Sequence, residues 1–593
     1  MTVQTLRKLF MLFLPFVSGV LNAQKLPADR GTDWKGSVAQ CSISYPVKTI
    51  NFLAAGGNKE GVVYNDSLMD AILSRVQPDS GLIVYFPAGT FRFKSDIRLP
   101  SNTVLRGETA GSTVLKFNLG GSGNAIEISG KTKSYYLNLL NDAPRNSRSL
   151  EMKDSGIISS GELLYLLDED STLVTSTWAF GAAGQVVKVL SAQGRTLTLS
   201  SPLRRDFLTS KKARILRLIP VVQSGLEHLT IWREDASTGQ TSNVNMEYST
   251  QCFLRCVESY NCNFAHVAIS YSAFNTVEGS YFKDGFSYGS GGKAYGVALQ
   301  FASSDCHIFN NVFRHLRHAV LVQTGANGNV IGYNYALESY WTDVSLPSNS
   351  AGDLVLHGNY PYANLFEGNI VQNIVLDNSH GISGPYNTFH RNRADLYGIF
   401  MNNGAGNSMN FLANEITGTG FLLGMYSLTG TDHFAYGNNV NGTIYGAGTT
   451  LETDSSLYGM DLSGREYYQK TGFWPPMGTI SKFNTRLNEA KARYQVPAYT
   501  ACAYQFTQGL KPSISTATAG ITAYPNPCAD ILYLTGVKAG DEVSVMDRTG
   551  RVLLQQQLDA SYRVELGHLP QGIYVVGVKR GGITRSVLFT KGN

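Results

Sequence analysis

The sequence predicts an all-β protein made of stacked coils, and two observations carry the prediction. Of 593 residues, 61 are glycine and 11% are aromatic, whereas only 16% are charged. This composition is typical of many short strands joined by turns. Similar short motifs also recur through the centre of the chain, as NVIGYNYA at 329–336, NLFEGNIV at 364–371 and NTFHRNRA at 387–394. A chain of this length needs several domains or an elongated repeat to bury its apolar residues.

The spacing of one recurring position gives the length of a coil. Successive members are separated by 31, 23, 35, 23, 22 and 24 residues, and they are Ser280, Asn311, Asn334, Asn369, Asn392, Asn414 and Asn438. Stacked strands lie about 4.8 Å apart, so an Asn at each bend can hydrogen-bond to the Asn of the next coil. The column therefore predicts an amide ladder inside a β-solenoid. A leucine-rich repeat has a similar period, but the sequence lacks its LxxLxLxxN pattern.

The segments INFLAAGGNKEGVVYNDSLMDAI, GLIVYFPAGTFRF and IRLPSNTVLRGE, between Ile50 and Leu119, resemble the first coils of the pectate-lyase superfamily. These proteins are right-handed parallel β-helices, and the resemblance covers about residues 45–450. It implies a short capping helix at about residues 65–76, which hides the open end of the sheets. We place the whole β-helix domain at residues 45–507. Because the superfamily includes polysaccharide lyases, glycoside hydrolases, epimerases and phage tailspikes, the resemblance implies fold more narrowly than chemistry.

Two further regions interrupt or follow the coils. Hairpin-like strands at about residues 135–220 predict a small β insertion on the stack. Residues 508–520 are small and polar and predict a linker. Residues 521–593, with ITAYPNPCADILYL, VSVMDRTGRVLL and LPQGIYVVGVKRGG, alternate as in a small antiparallel β-sandwich. They resemble the C-terminal sorting domain of the type IX secretion system.

The two ends of the chain predict export. Arg7 and Lys8 precede an apolar run, so residues 1–23 form a predicted signal peptide. The C-terminal resemblance implies passage through the type IX machinery of a Bacteroidetes-type bacterium, followed by cell-surface attachment or release. Seven cysteines permit disulfides and leave at least one thiol unpaired. A formal charge of +5 does not indicate a nucleic-acid partner, and we expect a monomer.

The ends of several aligned strands form a predicted polar stripe. The six strands GVALQ, AVLVQ, LVLH, NIVLD, GIFMN and GFLLG share an inward position, held by Val297, Val320, Leu354, Ile374, Ile399 and Phe421. Three residues later, the column contains Gln300, Gln323, His357, Asp377, Asn402 and Gly424. Strand alternation directs this second column away from the core, towards a groove or solvent.

His357 and Asp377 are one coil apart in this stripe, so their side chains are expected to touch across about 5 Å. A carboxylate would set the tautomer of the imidazole, which suits a general base or acid. His380 and Arg391 complete the predicted catalytic set. The predicted substrate-binding residues are Gln300, Gln323, Asn402, Arg317, Glu367 and Asp343, in which amides bind sugar hydroxyls and a guanidinium neutralises an acidic sugar.

These residues predict a secreted or surface-attached carbohydrate-active enzyme that cleaves glycosidic bonds of a polysaccharide in a groove. A β-eliminating lyase needs a base and neutralisation of a uronate, whereas a hydrolase needs two carboxyl groups about 5–9.5 Å apart. Both mechanisms remain open, and so does a non-catalytic, adhesin-like glycan-binding protein. No metal site is predicted from the residues. Calcium is a candidate cofactor because several β-helix lyases of this kind use it.

Overall fold

The computed structural model describes residues 26–38, 47–77, 80–343, 347–446, 456–458, 487–503, 522–525, 528–547, 551–580 and 583–592. The predicted signal peptide and the predicted linker lie outside the described residues. The chain forms two compact units, residues 1–504 and residues 505–593. Each unit is described by itself.

The first unit is a parallel β-helix, as predicted, with three columns of stacked strands. The first column contains, within the described residues, the twelve strands Val47–Asn51, Gly81–Phe86, Thr103–Gly107, Gly225–Glu227, Phe253–Arg255, Thr276–Glu278, His307–Phe309, Val330–Gly332, Leu365–Glu367, Thr388–His390, Asn410–Leu412 and Phe434–Tyr436. Neighbouring strands in this column are parallel and come from successive coils, as in the pairing of Leu365 with Thr388.

The second and third columns belong to one continuous sheet. The second contains Glu60–Tyr64, Gly89–Phe93, Thr113–Phe117, Thr230–Arg233, Glu258–Cys262, Tyr281–Gly285, Val312–Arg314, Tyr335–Leu337, Glu415–Ile416, Asn438–Val440 and Thr443–Tyr445. The third contains Ile97–Arg98, Ile126–Ser129, Val244–Glu247, Ala265–Ser270, Tyr295–Gln300, His318–Val322, Leu354–Leu356 and Met425–Ser427. Two longer strands, Ile370–Leu376 and Arg393–Met401, run through both columns. Val221–Val222 and Ser249–Thr250 form a separate, short parallel pair.

The predicted set of inward residues in the third column is correct except at its last member. Val297, Val320, Leu354, Ile374 and Ile399 pair in register and are buried in the main core. Phe421 does not follow them, because its side chain is 92% exposed and Tyr426 pairs with Ile399 instead. A glycine-containing loop at residues 417–424 lengthens this coil, so an alignment with constant coil length chooses the wrong residue there. The same shift removes Gly424 from the polar stripe.

The predicted ladder is present and has a second one beside it. From Ser280 to Asn438, each backbone N–H donates to the side-chain oxygen of the next ladder residue at 2.9–3.1 Å. The second ladder passes from Cys306 through Asn329 and Asn364 to Asn387 with the same geometry. These amides satisfy backbone groups that would otherwise be buried without partners at the bends.

Two α-helices complete the part of the first unit that the structure describes. Asp66–Leu73 caps the solenoid as predicted, because Met69 and Ile72 are buried against the first coils. Glu489–Gln495 follows Asn488, whose amide donates to the Asn334 carbonyl at 2.9 Å. Short 3-10 helices are formed by Ala28–Arg30, Lys35–Val38, Thr177–Ala179, Thr209–Lys211 and Ser348–Ser350. Across the described residues, neither α-helix is long and apolar enough to cross a membrane.

A disulfide between Cys256 and Cys502 joins the coils to the segment that follows the second α-helix. Cys252, Cys262, Cys306 and Cys528 are buried. Cys41 lies outside the described residues. The sequence correctly allowed disulfides in an exported chain, but it did not give this pairing.

The predicted insertion is an antiparallel sheet that interrupts the coils. Its strands are Lys131–Asn138, Ser149–Glu151, Leu163–Leu167, Gln185–Gln193, Thr196–Leu199 and Arg214–Ile219. It has its own apolar core, which includes Leu166 and Phe207. Arg204 anchors the insertion to the coils through an ion pair with Asp305 and a 3.0 Å hydrogen bond to Asn327, and all three side chains are buried.

The second unit is the predicted small β-sandwich. Its two antiparallel sheets contain, in the residues described, Thr522–Tyr524, Ile531–Thr535 and Arg563–Glu565 in one and Glu542–Met546, Val552–Gln557, Gly572–Arg580 and Ile583–Lys591 in the other. Alternate residues such as Leu532, Val543 and Val576 are buried in a single core between the sheets.

Candidate functional site

The polar stripe lies where strands of the third column end. Gln323 donates to Gln300 at 2.9 Å, and Gln300 donates to Ser270 at 3.3 Å. The following strands place His357 and Asp377 in the next positions along the same line. Asn402 follows them and is exposed. Two of the predicted amides, Gln300 and Gln323, therefore form a hydrogen-bonded row with Ser270, and His357 occupies the next position of the same stripe.

His357 and Asp377 are in direct contact, as their one-coil spacing predicts. His357 Nδ1 lies 2.7 Å from Asp377 Oδ2, and the other carboxylate oxygen accepts the Ser379 N–H at 2.9 Å. Burial opposes ionisation of Asp377, but the hydrogen bonds and charge of its partners outweigh burial and hold its pKa below the ordinary value. A carboxylate on Nδ1 directs the other ring nitrogen of His357, Nε2, towards proton exchange.

Two more imidazoles surround His357. The ring of His380, a predicted catalytic residue, lies 5.0 Å from that of His357 and nearly perpendicular to it. The ring of His318 lies 6.1 Å away on the other side. Burial and the adjacent charge of Arg317 lower the pKa of His318 to about 3, and burial also lowers the pKa of His380. His318 and His380 are therefore neutral at neutral pH.

His318 was missed by the sequence prediction for a geometric reason. It has the same parity as Val320, so strict alternation assigns it to the core. It is, however, the first residue of its strand, and its Nδ1 donates to the Gly352 carbonyl at 2.7 Å. Tyr295, at the start of the preceding strand, stacks on it with ring centroids 5.1 Å apart.

Arg317 and Asp343 belong to one wall of the site. The Arg317 guanidinium lies 4.9 Å from the Trp341 ring and donates to the Gly289 carbonyl at 2.9 Å. Asp343 accepts the Ser290 N–H, and hydrogen bonding there lowers its pKa. These contacts join the loop near residue 290 to the loop that begins at 341. Arg317 is next to the histidine cluster, whereas Asp343 is exposed and engaged by the loop backbone.

The opposite wall comes from the β insertion, which the sequence analysis did not connect to the site. Trp178 packs with its ring nearly perpendicular to that of His380, at 5.4 Å between centroids. Thr175 donates to the His380 carbonyl at 3.3 Å, and the Ser176 N–H donates to Asn359 at 3.3 Å. The insertion thus reaches the catalytic candidates directly. Its strand pattern carried no signal of this contact.

Glu367 and Arg391 are not brought to the site, which corrects their predicted placement. Glu367 lies in the first column, where its carboxylate accepts from His390 at 3.1 Å and from the Leu457 N–H at 2.8 Å. Arg391 is buried in the bend after His390. The Asn ladder at that bend separates both residues from the end of the third column. Although they are close to His357 and His380 in sequence, they do not contact them.

Comparisons with known protein families give one match in each of the two units. The family described as rhamnogalacturonase A/epimerase, pectate lyase-like, matches residues 55–143. The family described as secretion system C-terminal sorting domain matches residues 522–588. The sorting domain places the protein among those exported by type IX secretion in Bacteroidetes, at the cell surface or beyond it. No curated protein matches the sequence.

Several solved structures match parts of the chain at low identity. A tailspike protein from a Pseudomonas phage is 14% identical, with a TM-score of 0.46, and the match covers 62% of this chain and 64% of that chain. The A-module of a mannuronan C-5 epimerase from Azotobacter vinelandii is 14% identical, with a TM-score of 0.34 and coverage of 68% and 100%. A surface adhesin of Streptococcus pneumoniae is 12% identical, with a TM-score of 0.30 and coverage of 62% and 85%. The chain thus spans less than two thirds of the tailspike, and no activity follows from these likenesses.

Proposed function

We propose that this exported protein cleaves an acidic polysaccharide, with His357 as the general base and Asp377 as the residue that orients it. The 2.7 Å contact between them, at the end of a polar stripe, is the observation that carries the proposal. A pectate-lyase-like match over residues 55–143 supports polysaccharide as the substrate class. Gln300 and Gln323 extend the stripe with groups that suit sugar hydroxyls.

β-Elimination fits the site better than hydrolysis. Among the described residues, Asp377 is the one carboxylate that contacts His357. A glycoside hydrolase of the usual kind needs a second carboxyl group on the opposite side of the bond. In elimination, His357 Nε2 would take the proton from C5, the C–H electron pair would form the C4–C5 double bond, and the C4–O bond would break. The departing oxygen then takes up a proton.

Arg317 supports an acidic sugar as the substrate. Its side chain is buried beside the histidine cluster, and its Nε has no hydrogen-bond partner within the residues described. A guanidinium can bind a carboxylate through two parallel hydrogen bonds, which would stabilise the negative charge that develops on a uronate during proton removal. Binding of a uronate there would satisfy the buried Nε.

The test is to incubate the purified protein with polygalacturonate, rhamnogalacturonan and alginate, and to follow ultraviolet absorbance and reducing ends together. We expect both signals to rise on one of these acidic polymers, because elimination makes an unsaturated sugar and a new chain end. Reducing ends without absorbance would show hydrolysis and overturn the proposed chemistry. Binding without either signal would support a glycan-binding protein instead of an enzyme.

A further inference from the structure

The insertion presents an exposed aromatic residue at the edge of the proposed active site. The side chain of Trp178 is 51% exposed, although Val174, Ala179, Ala182 and Ala183 of the same loop are buried. The loop therefore docks on the coils through its small apolar residues and does not need the indole for that purpose. An exposed Trp beside polar groups is typical of a binding surface.

The orientation of the indole can be inferred from its neighbours. Tyr248, Tyr271 and Phe301 come from successive coils and stack with ring centroids 5.3 Å apart and planes within 18–21° of parallel. Their planes are thus roughly perpendicular to the direction in which coils stack. Trp178 meets Phe301 at 74° and His380 at 89°. The indole plane therefore runs along the stacking direction, parallel to the polar stripe.

The loop that carries Trp178 is held in place by hydrogen bonds on two sides. Both carboxylate oxygens of Asp170, a buried residue, accept backbone N–H groups of the loop, from Gly181 at 2.8 Å and from Ala183 at 2.9 Å. The contacts of Thr175 and Ser176 with the coils fix the other side of the 3-10 helix that contains Trp178. A binding residue held in place before the ligand arrives loses little conformational entropy on binding.

We propose that Trp178 forms a sugar-binding subsite that the insertion adds to the groove. Its indole face would stack on the apolar face of a pyranose ring, while the amides of the stripe bind hydroxyl groups of the same chain. Because Trp178 contacts His380, the pyranose stacked on Trp178 would be the neighbour of the sugar that faces His357. The assignment of neighbouring sugars rests on the proposed function, whereas the stacking site itself requires only that a polysaccharide binds here.

The experiment compares Trp178→Ala, Trp178→Phe and Phe180→Ala. Phe180 is a matched control, since it lies in the same loop and is 52% exposed, yet makes no ring contact with His380 or Phe301 among the described residues. Affinity is measured by calorimetric titration of polygalacturonate, rhamnogalacturonan and alginate into each variant in an Asp377→Asn background. On any polymer that is cleaved, KM and kcat are measured with Asp377 intact.

We expect Trp178→Ala to weaken binding and raise KM about tenfold, which corresponds to the loss of one aromatic stacking contact. The value of kcat should stay within about twofold, because the indole does not transfer protons. Trp178→Phe should recover most of the affinity, and Phe180→Ala should bind as the parent does. Unchanged thermal unfolding of all three variants would exclude a folding defect.

Several results would overturn the subsite. They are unchanged affinity and KM in Trp178→Ala, a fall in kcat alone, equal losses in Trp178→Ala and Phe180→Ala, or no binding of any of the three polymers. Failure of the proposed function has a different signature. If nothing is cleaved but one polymer binds in a Trp178-dependent manner, the enzyme proposal is wrong and the subsite is supported.

Discussion

Two histidine–carboxylate pairs lie on different columns of this β-helix and differ in how far their side chains are exposed. His357 contacts Asp377 at the end of the third column, and their side chains are 11% and 13% exposed. His390 contacts Glu367 in the first column, and both side chains are 0% exposed. The two pairs have the same chemical groups and nearly the same spacing along the chain. Their surroundings differ.

The covering segments account for the difference. Over the first column, Trp34 and Tyr458 pack against Tyr333, and the Leu457 backbone donates to Glu367. At the third column, the neighbours of His357 are the half-buried His380 and, beyond it, the exposed Trp178. A pair enclosed by apolar groups can only stabilise the fold, whereas a pair at an open rim can exchange a proton with a ligand.

The largest expected difference between the pairs is in turnover. Asp377→Asn should lower kcat about 1000-fold, because the amide no longer holds the catalytic tautomer of His357. Glu367→Gln should leave kcat within about twofold, since the first-column pair is remote from substrate. Initial rates on the cleaved polymer, with thermal unfolding as the control for folding, measure both. Equal losses of kcat in the two variants would remove the distinction.

The free energy of unfolding should depend more on the first-column pair than on the pair at the end of the third column. His390→Ala should lower the free energy of unfolding by about 3 kcal/mol, because it leaves the buried carboxylate of Glu367 without its imidazole partner. His357→Ala should cost less than about 1.5 kcal/mol, since water can reach Asp377. Urea unfolding of the two variants makes the comparison. A greater loss in His357→Ala would show that the rim pair is structural.

The ladder between the columns supplies the next test. Asn369 donates to the Ile331 carbonyl at 2.9 Å and to Asn392 at 2.8 Å, and it accepts the Asn334 N–H at 3.0 Å. Asn369→Ala should lower the free energy of unfolding by about 2 kcal/mol, because these buried groups lose their partner. Urea unfolding measures the loss, and kcat should be unchanged. A variant that unfolds normally but loses activity would contradict the role of scaffold.

The smallest effect, taken per pH unit, concerns pH and distinguishes the buried His318 from the partly buried His433. The pKa of His318, about 3 in the folded protein, lies below the ordinary value of 6.5. The unfolded chain therefore binds a proton that the folded chain rejects, so stability contributed by neutral His318 is lost as pH falls below about 6.5. His318→Gln should reduce the slope of unfolding free energy against pH, between about pH 4 and 6, by up to about 1.4 kcal/mol per pH unit.

Urea unfolding at several pH values measures this slope, and His433→Gln is the control because His433 is only partly buried. Identical slopes for His318→Gln and the parent protein would show that His318 has the same pKa in the folded and unfolded states. The titratable or charged groups that act on His318 are Arg317, His357 and Asp377, and both proteins being compared retain all three.

Periodicity made part of the site predictable. The Asn ladder and the contact of His357 with Asp377 both follow from coils that repeat at nearly constant length, since residues one coil apart must become neighbours. Phe421 shows the limit of that reasoning, because one longer loop displaced it from the core. Glu367 and Arg391 show another limit, since coil length does not say which face a distant segment covers.

The sequence by itself determined the stacked coils, the inserted sheet and the C-terminal sandwich, because strand alternation and turn residues are local signals repeated many times. The capping helix followed from the family resemblance of residues 50–119. The sequence also determined that His357 and Asp377 meet. Only the tertiary structure decided that the first-column pair is enclosed and that Trp178 reaches His380. Thr175, in the Trp178 loop, and His380 are 205 residues apart in sequence, and packing of separate elements, which has no local pattern, brings them together.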